Sequence, residues 1–299
     1  MIETIMPTDK NAWLALRAKD ITSTESPALF GASPYATEFE LWHRKRNAEV
    51  VALNENERMK WGNRLQDAIA YGIAQDEGWV IRKMDEYMRD SDLRMGASFD
   101  FAIGEAGILE VKNVDSLAFR DGWIVGGENI EAPPHIEIQI QHQLAVSGRR
   151  LSYIGALVGG NRIVLLRREP DQVIITRIKS RILSFWKSIE EGIEPKPDFS
   201  RDAGFIAKLY GYSEVGKILD ATNEIESLAE EYKALSNAAK TANNGKEEAK
   251  AQILMLIGDA EKVKGAKFSI SAGMIGPTHV EYDREGYRSF RINWKKEEL

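Results

Sequence analysis

Met95–Asn113, MGASFDFAIGEAGILEVKN, holds two short alternating runs, SFDFAI and ILEVKN, on either side of a glycine-bracketed turn, Gly104–Gly107. Such runs read as two paired antiparallel strands. Strand period puts Glu110 and Lys112 on one face of the second strand and Val111 on the other. Asp100 joins Glu110 only if the strands pair with an even residue sum. A three-residue loop Glu105–Gly107 with Gly107 left-handed meets that condition, whereas a two-residue Glu105–Ala106 turn sends the carboxylates to opposite faces. Two convergent carboxylates suit a hard divalent cation that takes oxygen ligands and keeps several waters. A lysine beside such a cation can orient or deprotonate an attacking water, and the cation neutralises charge building on a phosphodiester. Glu-x-Lys on a strand also occurs as a plain solvated cross-strand pair.

Outward from this stretch, residues 1–198 alternate helical and strand patterns, as expected of an α/β domain. Helices are expected at Trp13–Lys19, at Met59–Ala74 with Leu65, Ala68, Ile69 and Ile73 on one stripe, at the run HIEIQIQHQLAVSG, and near Ile182–Glu191. Trp79–Lys83 reads as a strand, and Leu151–Val158 with Arg162–Leu166 as a hairpin about Gly159-Gly160-Asn161. IEPKPDFSRD is the linker, which leaves residues 199–299 as a second domain. There, Glu224–Lys240 and Glu247–Ile257 have helical spacing, and Asn243-Asn244-Gly245 between them predicts an antiparallel helical hairpin. The tail YRSFRINW alternates Phe290, Ile292 and Trp294, the pattern of a half-buried strand and hence of a short β extension.

Composition narrows the chemistry. The 299 residues include no cysteine and four histidines, with 43% apolar residues, 29% charged residues and a formal charge of −6. A disulfide framework, thiolate zinc sites, iron–sulfur clusters and a cysteine nucleophile are excluded. No apolar run approaches the ~18–20 residues that span a bilayer, and no secretory leader is recognisable, so no membrane partner and a cytoplasmic location are expected. The acidic balance argues against a uniformly basic nucleic-acid coat but leaves room for a local basic groove.

Six blocks together resemble the lambda-exonuclease-type (YqaJ-like) viral recombinase nucleases, a branch of the PD-(D/E)xK superfamily. They are Trp13 with Arg17, ITSTESPALFGASPY from Ile21 to Tyr35, WGNRLQDAIA from Trp61, GASFD ending at Asp100, LEVKN around Glu110 and Lys112, and IQIQHQLAVSG with Gln139 and Gln141. The resemblance implies a mixed central sheet flanked by helices and Mg²⁺-dependent cleavage of linear duplex DNA from the 5′ end, with Mn²⁺ as a substitute cation. The product is a 3′ single strand for recombination. It makes Asp100 and Glu110 metal ligands, together with the main-chain carbonyl of Val111, and makes Lys112 the water-activating group. Gln141 becomes the active-site glutamine with Gln139 its neighbour, and Arg17 and Thr24 hold a 5′-terminal phosphate. It further implies DNA ends and a single-strand annealing protein as partners, and a homo-oligomer of the trimeric-ring kind.

One position departs from the family. Its helix reads W-G-x-x-x-E, and this chain has Gln66 where the third acid stands. A glutamine carbonyl accepts hydrogen bonds but brings no charge. Natural tolerance, an engineered change that slows cutting, and loss of activity are the readings left open, with Glu25 a speculative compensating acid. The alternatives to the exonuclease are therefore a catalytically impaired DNA-end-binding module and a structure-selective endonuclease of the same superfamily. Arg17, Lys45, Arg46, Arg64 and Lys112 are the basic residues expected along a DNA channel. His135 and His142, seven apart on one helix, are read as packing, Trp123 with Ile124–Asn129 as a surface loop, and Lys187–Glu194 as a solvated face.

Overall fold

The computed structural model describes residues 1–49, 56–126, 129–284 and 286–294. The chain begins β1 (Ile2–Ile5), α1 (Lys10–Lys19), β2 (Ile21–Thr22), a 3-10 turn (Ser26–Phe30), α2 (Glu38–Arg46) and α3 (Glu57–Glu77). Four short strands follow: β3 (Ile81–Lys83), β4 (Tyr87–Asp90), β5 (Met95–Ser98) and β6 (Phe101–Ile103). Then come β7 (Gly107–Val114), α4 (Ser116–Gly122), β8 (Ile124–Gly126), β9 (Asn129–Glu131) and α5 (Pro134–Ser147). The chain continues through β10 (Leu151–Val158), β11 (Arg162–Arg168), α6 (Gln172–Glu191), α7 (Phe199–Leu209), α8 (Asn223–Ile257), β12 (Lys262–Lys264) and β13 (Ser269–Ser271). Two compact units result, Met1–Phe205 and Ile206–Leu299. Among the described residues no helix is long and apolar enough to cross a membrane.

The first unit carries a five-stranded sheet, β11-β10-β7-β6-β3, and a four-stranded sheet, β1-β4-β5-β2. The larger sheet is mixed: β7 runs parallel to β10, while β6 and β11 pair antiparallel with their neighbours. A parallel pair needs a crossover, and α5 lies on that connection between β7 and β10. Because β7 is covered on both faces, it reads as a nearly unbroken apolar run interrupted only where chemistry is placed. Ile69, Ala70 and Ile73 of α3 bury Phe101, Leu109 and Val111 on one face. Ile108 on the other face joins Ile136, Ile140 and Leu144 of α5 and Ile178, Ile182 and Phe185 of α6. Each such Ile, Leu, Val or Phe side chain contributes ~1.5–3 kcal/mol through burial.

The β6–β7 register is even: Phe101 pairs with Leu109, Ala102 with Ile108 and Ile103 with Gly107. The odd loop that this requires is Gly104–Ala106, one residue earlier than expected. The left-handed residue is Gly104, with φ of 52°, and not Gly107, which starts β7 opposite Ile103. The chain passes from the smaller sheet to the larger between Ser98 and Phe101, so Asp100 stands where the two sheets part.

The helical hairpin is not formed. Residues 223–257 are one 35-residue helix that runs through Asn243-Asn244-Gly245 without a break. A helical Gly costs ~1 kcal/mol and each Asn ~0.6, and the Ala-, Glu- and Lys-rich turns on both sides outweigh that penalty. Nor do Phe290, Ile292 and Trp294 form a strand: alternation makes a strand only where another backbone pairs with it, and the β extension of this unit is the β12–β13 ladder instead.

Candidate active site

Continuing the β6–β7 register by one step brings Asp100 opposite Glu110. The Asp100 side chain reaches β7, where Oδ2 accepts the Val111 N–H at 2.8 Å. Glu110 is buried and ringed by donors. Its Oε1 accepts Lys112 Nζ at 2.6 Å and Gln139 Nε2 at 2.5 Å, and its Oε2 accepts Gln143 Nε2 at 2.7 Å. Burial and the neighbouring Glu110 push the Asp100 carboxyl up to about 7. Burial opposes the charge on Lys112, but Glu110 and Asp100 outweigh it and hold its pKa above the usual lysine range. Lys112 is therefore an ammonium group in this arrangement, fit to orient and donate rather than to accept a proton.

The raised carboxyl gives a stability prediction. Asp100 binds a proton more tightly folded than unfolded, so its cost to the fold is absent below pH ~4 and develops as pH rises to about 7. Asp100→Asn should raise the metal-free unfolding free energy by up to about 4 kcal/mol at pH 8, with the gain shrinking toward pH 4. Urea titrations at both pH values measure this. A gain independent of pH would contradict the strained carboxylate.

Helix α5 supplies the wall facing Glu110, and its stripe is His135, Gln139 and Gln143, four residues apart. Gln141 is on the other side, contrary to the role expected of it. Its Nε2 donates to the Glu169 carbonyl at 2.9 Å, and its Oε1 accepts the Asp171 N–H at 2.8 Å, tying down the turn before α6. Two residues along a helix is about 200° of rotation, so Gln139 and Gln141 cannot share a site. Gln143 was not singled out from sequence. It also donates to the Ser98 carbonyl at 3.1 Å, and its buried Oε1 has no hydrogen-bond partner among the described residues. At the rim, Tyr35 meets His135 edge-on with ring centroids 6.1 Å apart, and burial and Lys112 lower the His135 pKa.

Asp100 and Glu110 offer an all-oxygen donor set that fits a hard divalent cation in kind. Among the described residues no group of three or more acidic or histidine side chains gathers to hold one.

Arg17 and Thr24 do come together, with Nη2 donating to Oγ1 at 3.2 Å. The guanidinium lies over Trp13, 4.6 Å from the ring centroid, and Trp13 Nε1 donates to Ser98 Oγ at 2.8 Å. That last bond links the Arg17 helix to the strand leading into Asp100. Lys45 is no channel residue: it is buried, and its Nζ holds the carbonyls of Arg17 and Asp20 at 2.7 and 2.6 Å and Glu25 at 2.8 Å. Despite burial, which disfavours its charge, Glu25 is held below the usual carboxylate range by Lys45 and Arg17, and it anchors Thr22 rather than serving Glu110.

Residues 12–150 match the YqaJ-like viral recombinase domain family. This segment is a YqaJ-like recombinase domain. The chain is 27% identical over 258 residues to the uncharacterised protein YqaJ of Bacillus subtilis, spanning 84% of this chain and 79% of that one. Among solved structures it is similar to an alkaline exonuclease from Laribacter hongkongensis, with 19% identity and a TM-score of 0.48, covering 65% of this chain and 98% of that one. It is also similar to a phage-related exonuclease from Haemophilus somnus 129PT, with 14% identity and a TM-score of 0.41, covering 58% of this chain and 95% of that one.

Within the YqaJ-like domain Gln66 lies half-buried on α3, the helix that covers the Val111 face of β7. No hydrogen bond joins it to Asp100 or Glu110 among the described residues. Asp67 is engaged with Lys83 at 2.7 Å. Arg46 and Arg64 lie over Trp42 and Trp61, with 4.9 and 5.1 Å to the ring centroids. His142 is buried packing: its Nε2 bonds the Gly96 carbonyl at 3.0 Å, and burial lowers its pKa to about 3. Trp123 is buried against Phe119, with centroids 5.2 Å apart, so it stacks on no base. The loop expected beside it includes residues 127 and 128, which lie outside the described residues, and its flanks form the β8–β9 ladder.

Proposed function

We propose that this protein is a divalent-metal-dependent exonuclease that degrades one strand of linear duplex DNA from a 5′ end, leaving a 3′ single strand. The observation that carries this reading is the meeting of Asp100, Glu110 and Lys112 where the two sheets part, on one side of the sheet and against the Gln139–Gln143 face of α5. Asp100 and Glu110, with the main-chain carbonyl of Val111, would hold Mg²⁺ or Mn²⁺. The bound cation would lower the pKa of a coordinated water and neutralise charge developing on the scissile phosphate. Lys112 then orients that water and the phosphate oxygens as an ammonium, and Gln139 fixes both Lys112 and Glu110. Arg17 and Thr24 receive the 5′-terminal phosphate, the guanidinium matching two of its oxygens. The match of residues 12–150 to the YqaJ-like viral recombinase domain family supports the reading. By the same resemblance, an annealing protein takes up the product strand and the enzyme assembles as a ring.

An end-labelled duplex assay with and without Mg²⁺ tests this. Shortening of a 5′-phosphorylated linear strand only with metal is expected, and cutting of closed circles would favour the structure-selective endonuclease instead. Arg17→Ala should cost about tenfold to a hundredfold in kcat/KM on 5′-phosphorylated ends and much less on 5′-hydroxyl ends. Equal losses on both would remove Arg17 from the phosphate site. Gln66→Glu should raise the rate by restoring an acid, and no gain would show that this position does not serve the cation. The specific observation favouring an end-binding module is the neutral Gln66, and such a module would bind ends without shortening either strand even with Mn²⁺.

A further inference from the structure

Behind the Arg17–Thr24 contact lies a buried ion pair that takes no part in holding a cation. Lys45 stands in the last turn of α2, four residues after the fully buried Leu41, so the face that sends Leu41 into the core also turns this ammonium inward. Its three N–H donors are all engaged: with the Arg17 carbonyl at 2.7 Å, the Asp20 carbonyl at 2.6 Å and Glu25 Oε2 at 2.8 Å. Arg17 is in the last turn of α1 and Asp20 is its C-terminal cap, where a helix leaves carbonyls unpaired and favours a cation. Glu25 Oε2 accepts in addition the Thr22 N–H at 3.0 Å and the Thr22 hydroxyl at 2.9 Å. Thr22 Oγ1 is 3.2 Å from Thr24 Oγ1, which accepts the Arg17 guanidinium. These bonds make a closed circuit, from the Arg17 main chain through Lys45, Glu25, Thr22 and Thr24 back to the Arg17 side chain.

We propose that Lys45 and Glu25 are positioning residues that set the preference for a 5′-phosphorylated DNA end. The inference rests on the reading that Arg17 and Thr24 receive the terminal phosphate. Neither Lys45 nor Glu25 touches the substrate; both act through those two residues. With side chains only 4 and 19% exposed, the pair is a poor source of stability, because desolvation offsets its attraction and apolar residues of like volume often replace such pairs without loss. An apolar pair, however, could not clasp two carbonyls at the end of α1 and a main-chain N–H at Thr22. Fixing both sides of the phosphate site in this way orders the Arg17 main chain and its hydroxyl partner before DNA arrives, which reduces the ordering cost of binding.

The test uses the full chain with Lys45→Met and Glu25→Gln combined, which removes both charges and leaves neither stranded. Thermal unfolding establishes that the variant is native. End preference is read as the ratio of kcat/KM on 5′-phosphorylated over 5′-hydroxyl duplex, and as the same ratio of affinities by fluorescence anisotropy without metal. The ratio should fall about tenfold, carried by KM, and adding Arg17→Ala should lower it little further, because the pair acts through Arg17. An equal loss on both kinds of end, as a merely structural role would give, an unchanged ratio in a native variant, or full additivity with Arg17→Ala would each overturn the proposal. If the combined variant does not fold, Glu25→Gln alone decides: Lys45 keeps its two carbonyls, and the ratio should fall roughly threefold or more, an unchanged ratio overturning the proposal. A wild-type chain that binds phosphorylated ends more tightly than hydroxyl ends but cuts neither would sink the nuclease reading alone, and the anisotropy of the variants would then decide the role of the pair. Metal-dependent cutting with no end preference would sink the phosphate site, and the role of the pair with it, while the nuclease reading stands.

Discussion

Glu110→Gln is expected to reduce DNA cleavage roughly a thousandfold while leaving the fold intact. The substitution keeps the side chain's length but replaces a buried carboxylate that accepts three donors, from Lys112, Gln139 and Gln143. An amide can accept at only one of its two termini, so at least one donor then faces another N–H. The negative charge that would hold a divalent cation beside Asp100 is lost, and the Lys112 ammonium loses its main counter-charge. Single-turnover digestion of an end-labelled duplex measures the effect, and thermal unfolding shows whether the protein remains native. Retained cleavage in a folded variant would mean that the cation, and the reaction, are elsewhere.

Asp20→Ala should cost about 2–3 kcal/mol of stability, since it removes the buried acceptor of the Arg89 guanidinium and the Tyr87 hydroxyl and leaves Arg89 with Glu3 at 3.7 Å. Asp20 is fully buried and accepts Arg89 Nε at 2.8 Å, Arg89 Nη2 at 2.6 Å and the Tyr87 hydroxyl at 3.1 Å. Gly96 makes room for this cluster: a Cβ there would come within 1.9 Å of the Tyr87 oxygen. Asp20 directly precedes the Ile21–Thr24 segment, so loosening it also loosens the Arg17–Thr24 contact. Urea unfolding measures the stability change. A loss below ~1 kcal/mol would show that water replaces the carboxylate without penalty.

Much of the site was legible in the sequence because strand parity is a discrete constraint. Two acids around a short glycine turn either share a face or do not, and Gly104 and Gly107 announced the turn, even though the left-handed residue proved to be the earlier one. Helical spacing was equally available in IQIQHQ, where a step of four selects Gln139 and Gln143; the family pattern drew attention to Gln141 instead. Lys45 was misread because a lysine's burial depends on what the fold places around it, here two carbonyls and Glu25, none of which is near it in sequence. Asn243-Asn244-Gly245 misled for the opposite reason: its local preference for a turn is real but small beside the turns on either side.

The three-residue turn Gly104–Ala106 constrains how this lineage can vary in length. Point substitutions of Glu105 or Ala106 alter only a solvent-facing corner, whereas Gly104 is held to its left-handed φ of 52°. Inserting or deleting one residue inverts the parity between β6 and β7, and every side chain of one strand then trades sides relative to the other. If β7 were the strand to invert, Glu110 and Lys112 would be driven beneath α3, while Leu109 and Val111 would take their place beside the glutamines of α5. Length changes at this corner are therefore tolerable only in pairs, and natural relatives that keep the chemistry should differ here by zero or two residues.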